Sequence, residues 1–202
     1  THAHIGHYTG LMFFGFESMD ASDLPVYVMP RMAHYLSTNG PWGQLVNMGN
    51  IKLLELQADR TEELDQLEIT PHLVPHRDEY SETVGYRIKG PNHTALFIPD
   101  INKWELWERD IVDEIQGVDY ALIDASFFDD DEIPGRNMDE IPHPFVVETM
   151  ALLDLLTADQ VAKVWFIHFN HTNPLLDEES VAYRSVREKG YNIAREGIRL
   201  PL

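Results

Sequence analysis

The chain has 202 residues, 44% hydrophobic and 24% charged, enough for one domain with a sizeable core and unlike a disordered or membrane protein. It lacks cysteine, which excludes disulfides and thiolate metal ligands, and it lacks the run of about 18 apolar residues that spans a bilayer. With 34 acidic against 15 basic residues the formal charge is −19, and no Lys/Arg cluster offsets it, so nucleic acid is excluded as a partner.

The chain opens Thr-His-Ala-His-Ile-Gly-His-Tyr-Thr-Gly. His2 and His4, two apart in extended backbone, point the same way and can grip one ion, while His7 is offset towards a second. Residues 8–18 suit a helix, and Asp20 to Asp23 a polar turn. Pro25 to Met29 reads as a short buried strand, and Pro30 opens a helix to about Ser37 that Asn39-Gly40-Pro41 stops. Strands are expected at 51–57, 67–75, 83–89 and 94–99, then a polar, Trp-bearing helix at 101–116. Tyr120 to Asp124 is a strand ending in a carboxylate. A long acidic loop at 128–142 follows, then a helix at 144–156 and a strand from Val164 to His168. A helix near 178–189, capped by Gly190, and strand-like residues 191–200 close the chain. Strands followed by alternating strand–helix units indicate a layered α/β protein, here a single domain over 1–202.

Four hydrophobic strands end abruptly in metal-capable side chains, giving His76, Asp100, Asp124 and His168. Ligands gather at such strand ends in layered α/β folds. His143 lies between Pro142 and Pro144, where it either acts on a substrate or merely packs. Asp78, Glu79 and Glu82 crowd the residues after His76, as a solvated hairpin tip or as partners that fix histidine tautomers. His72 reads as structural, His34 and His93 carry no role, and Asp129 to Glu132 reads as a solvated loop.

The opening resembles the Thr-His-x-His-x-Asp-His signature of the metallo-β-lactamase superfamily, with Gly6 where that family usually has an aspartate ligand. In such proteins the signature follows several strands. The resemblance therefore implies the carboxyl-terminal half to two thirds of a larger αββα sandwich (α/β, or α+β). It also implies that His2, His4 and His76 hold a first metal, that Asp100 bridges, and that His7 and His168 complete a second site left one carboxylate short by Gly6. Zinc is the metal expected first, as one or two divalent ions, with iron or manganese as alternatives.

Asp124 followed by His143 resembles the carboxylate–histidine pair of the ribonuclease Z branch, which implies that Asp124 orients His143 at the scissile bond. Residues 166–176 and 190–198 resemble two segments of the B-protein family of pyrroloquinoline quinone (PQQ) biosynthesis. The implied activity is metal-dependent hydrolysis of a small-molecule or peptide-derived substrate, in a cytoplasmic setting. The alternatives are an iron-dependent oxygenase or hydroxylase in that biosynthesis and a non-catalytic metal-binding protein.

Overall fold

The computed structural model describes residues 1–202, apart from the side chain of Asp139. The chain divides into two compact units, one of residues 1–62, 70–73 and 77–84, the other of 63–69, 74–76 and 85–202.

In the first unit, β1 (Leu24–Val28) and β2 (Ile51–Glu55) pair in parallel, Leu24 opposite Ile51. Parallel partners need a crossover, supplied by α1 (Pro30–Thr38) and α2 (Trp42–Asn47). Pro30 takes the first helical position, where its missing N–H costs nothing and its fixed φ suits the helix. The helix buries Met32, Ala33 and Leu36 on one side, in a cluster with Ala3, Tyr8 and Val28. The expected stop at Asn39 to Pro41 is present, but the chain resumes as α2 directly after it. The helix expected at 8–18 is instead two 3-10 turns, Ile5–His7 and Thr9–Phe14. Amides there reach back three residues, Leu11 to Tyr8 and Gly15 to Met12, and Gly10 and Gly15 weaken any longer α-helix.

The second unit is built on the larger sheet, whose strands lie in chain order: β3 (Glu62–Leu64), β4 (Leu67–Leu73), β5 (Val84–Lys89), β6 (Thr94–Ile98), β7 (Tyr120–Asp124), β8 (Val164–Ile167) and β9 (Asn192–Ile193). The division between the units passes through β3, β4 and β5. β5 and β6 are antiparallel, with Tyr86 opposite Phe97. From β6 to β9 every pairing is parallel, so the carboxyl ends of β6, β7 and β8 lie side by side. Ala121, Ile123, Val164 and Phe166 are fully buried in the main core, each large side chain worth about 1.5–3 kcal/mol of transfer free energy. Against them pack Ile111 and Ile115 of α3 (Ile111–Gln116), Val146 and Met150 of α4 (Val146–Leu152), and Val186 of α6 (Val181–Glu188), with the short α5 (Ala158–Val161) contributing Val161.

Three expectations are corrected in this unit. The helix at 101–116 is broken into a 3-10 turn, Trp104–Leu106, and α3, because Asp110 accepts from the Val112 amide and starts a fresh helix. The terminal strand shrinks to β9, since Gly197, at φ +87°, turns the chain soon after it. The run Asp129 to Glu132 is not wholly solvated: Glu132 accepts from the Phe128 amide at 2.6 Å and from the Thr172 hydroxyl, and further along the same loop Met138 and Ile141 are buried with Phe145.

Candidate metal centre

In the first unit the opening segment is tied down by its main chain. Val84 N donates to Thr1 O at 3.2 Å and Ala3 N to Ser81 Oγ at 2.7 Å. His4 is still extended, with φ −88° and ψ 138°, and the following turn closes with His7 N on His4 O at 2.8 Å, which brings His7 back beside His2. The His2 ring lies 4.3 Å from both the His4 and the His7 ring, centroid to centroid. Thr1 Oγ1 sits 3.1 Å from His2 Nδ1 and 3.2 Å from His7 Nδ1, holding two rings at once. His2 is buried at 1% exposure. The His4 Nε2 atom is 3.4 Å from Glu79 Oε2. The carboxyl of Glu79 is held below its ordinary range, chiefly by its own backbone N–H and then by His4 and Arg77. Asp78 and Glu82 have another task, both binding Arg31.

In the second unit Asp100 follows β6, Asp124 ends β7, His168 follows β8 and His76 lies just beyond β4. Both carboxylates are inside the protein, Asp100 3% and Asp124 0% exposed, so each charge must be compensated by bound partners. The two are compensated differently. Asp124 Oδ1 accepts from Ser126 N at 2.9 Å and Ser126 Oγ at 2.8 Å, and Oδ2 from Ile101 N at 3.1 Å and His143 Nδ1 at 2.7 Å. A carboxylate offers about four lone-pair sites, so Asp124 is saturated as an orienting group. Its bond puts a His143 ring proton on Nδ1.

Asp100 is surrounded by rings. Its Oδ1 lies 3.8 Å from His76 Nε2 and 3.3 Å from His143 Nδ1, and its Oδ2 3.6 Å from His168 Nε2. Ligand atoms about 2.0–2.2 Å from a shared tetrahedral ion stand about 3.3–3.6 Å apart. The His76 and His168 separations exceed hydrogen-bond length and come near that spacing, each on a different oxygen of Asp100. The donor set is imidazole and carboxylate only, which suits zinc, iron or manganese. These residues fit a divalent metal.

Two supporting residues were not anticipated. Asn102 Oδ1 lies 3.1 Å from His76 Nδ1, and Ser126 Oγ 2.9 Å from His168 Nδ1. In Asp100-Ile101-Asn102 and Asp124-Ala125-Ser126 alike, the middle residue is fully buried and the two flanking polar ones turn to the site. Strand alternation carried two residues beyond the strand end was the available signal. His143 is placed by the bridge between Phe127 and Phe145 and by Glu148 Oε2 accepting from Phe145 N at 2.8 Å, which starts α4 just past it. Of the other histidines, His72 is buried with Nδ1 2.7 Å from Asp59 Oδ1, and His171 is exposed.

Carboxylates and histidines at the ends of parallel strands, behind a His-x-His opening, define a metal-site protein of layered α/β type. The chain belongs to the metallo-β-lactamase superfamily: the family described as "Beta-lactamase superfamily domain" matches residues 1–169. A coenzyme PQQ synthesis protein B from Xanthomonas campestris is 27% identical over 126 residues, covering 60% of this chain and 41% of the relative. The chain thus matches about two fifths of that relative's length. The structure of Zn(2+)-bound PqqB from Methylobacterium extorquens superposes with a TM-score of 0.77 at 21% identity, covering 100% of this chain and 71% of the other. The diiron β-hydroxylase CmlA from Streptomyces venezuelae shares the fold at TM-score 0.57 and 16% identity, over 96% of this chain and 42% of CmlA.

Proposed function

We propose that this chain carries the metal centre of a hydrolase related to the PQQ synthesis B proteins, acting on a small-molecule or peptide-derived substrate. The reading assigns His2, His4 and His76 to one ion, Asp100 as a bridge, and His7 with His168 to a second. When bound, a divalent ion there supplies Lewis acidity and lowers the pKa of water towards neutrality. Asp124 holds the His143 ring by Nδ1, so Nε2 is the atom that passes a proton to the leaving group. Burial of Asp100 and Asp124 excludes water from the carboxylate side of the site and keeps both fixed. The observation that carries this reading is the buried Asp100 with three histidine nitrogens 3.3–3.8 Å from its oxygens, one of those rings anchored on Asp124.

The second reading is an iron-dependent oxygenase or hydroxylase in PQQ synthesis. It is favoured by Gly6, which leaves the second ion with two histidines and one aspartate, a set that also suits non-haem iron. The fold shared with a diiron hydroxylase supports it too. Assay of ester and phosphodiester substrates with zinc, manganese or iron, in air and under nitrogen, separates the two. The hydrolase reading expects oxygen-independent turnover with zinc or manganese. It also expects His143→Ala to lower that turnover by about 10²–10⁴-fold with metal content unchanged. Turnover requiring both iron and dioxygen would overturn it. Metal binding with no turnover on any substrate would leave a binding protein.

A further inference from the structure

We propose that Ser126 is a positioning residue that fixes the tautomer and orientation of His168 so that Nε2 faces the metal, an inference resting on the reading of His168 as a ligand. The hydrogen-bond directions leave one arrangement. The ionised carboxylate of Asp124 only accepts, so the Ser126 hydroxyl, 2.8 Å from Oδ1, donates to it. The same oxygen must then accept from His168 Nδ1 at 2.9 Å, which therefore carries the ring proton. A neutral imidazole has one N–H, so Nε2 is the unprotonated nitrogen, 3.6 Å from Asp100 Oδ2.

The backbone agrees. His168 stands at φ +65°, a left-handed conformation uncommon for a residue with a side chain, and surrounding bonds must hold it there. They come from the same short stretch: Asn170 N donates to Ser126 O at 2.9 Å, and Asn173 Nδ2 to Ala125 O at 2.8 Å and Ser126 O at 3.3 Å. Residues 125 and 126 thus hold the loop by main chain and the ring by side chain. One carboxylate, Asp124, orients two histidines, His143 directly and His168 through Ser126.

A purely structural role for Ser126 would be the turn in which its amide meets Asp124 Oδ1 at 2.9 Å, and that bond survives loss of the hydroxyl. Ser126→Ala therefore isolates the hydroxyl, and Ser126→Thr restores it. In the metal-free wild-type chain, long-range proton–nitrogen correlation spectra should show His168 protonated on Nδ1. In Ser126→Ala the ring should pass to a mixture of tautomers, and in Ser126→Thr it should return. Zinc titration against a chromophoric chelator should show the weaker of two affinities falling by about 10–100-fold in Ser126→Ala. The stronger affinity should stay unchanged, and Ser126→Thr should recover the weaker one. The wild-type spectrum alone tests the tautomer should the alanine variant fail to fold. Protonation of His168 on Nε2, or zinc affinities in Ser126→Ala equal to those of the wild type, would overturn the proposal. A wild type that binds no zinc, iron or manganese would instead overturn the ligand reading beneath it.

Discussion

Gly6 lies in the turn after His4, and among the described residues nothing beyond its own chain neighbours stands within 4 Å of the position its Cβ would occupy. An aspartate there meets no obstacle. On the proposed ligand set it supplies the carboxylate that the second ion otherwise lacks. Gly6→Asp should tighten the weaker zinc affinity by about 10-fold or more, while stability of the metal-free chain moves within about 0.5 kcal/mol, as for other open surface positions. Titration of both proteins checks this, and unchanged affinities would remove the second site from the proposal. At this scale the strand-end candidates stand out in the sequence because a run such as Val164-Trp165-Phe166-Ile167 ends on a polar residue that has no place in a core. Ser126 and Asn102 were not legible. A serine or asparagine after a strand is ordinary turn chemistry, and only the ring nitrogens facing them reveal another use.

Among the elements, those set by burial periodicity and firm punctuation were readable and those set by local competition were not. α1 was readable because Pro30 starts it and Asn39 to Pro41 end it. The break at 107–110 turned on a single capping bond from Asp110, which the helical pattern across 101–116 conceals. The β5–β6 pair carries a prediction of its own. Tyr86, opposite Phe97, has its hydroxyl pushed up to about 12 by burial. The folded chain therefore keeps that proton between pH 10 and 12, where an unfolded tyrosine has lost it. Stability is fully present below about pH 10 and falls as pH rises to about 12. Tyr191 and Tyr8, also raised to about 12 by burial first, steepen the fall. Urea midpoints measured across pH 9–12 should decline, and Tyr86→Phe should flatten the decline. An identical slope in wild type and variant would show that the ring titrates as in water.

At the scale of the whole molecule, the charge of −19 favours uptake of cations, and on the proposed ligand set the buried carboxylates and histidines would hold them. Ions held by the native chain and not by the unfolded one add stability by mass action, about 2.7 kcal/mol for one site at a free concentration 100 times its Kd. For a chain of this size each kcal/mol moves the melting midpoint by about 2–4 °C, so removing one such ion with a chelator should lower it by about 5–11 °C. The shift should disappear in the His2→Ala, His4→Ala double variant, whose metal content should also fall. That comparison separates a bound ion from general screening of negative charge, because screening acts on both proteins alike. A double variant whose metal content and chelator shift match those of the wild type would place the ion elsewhere and remove the opening histidines from the centre.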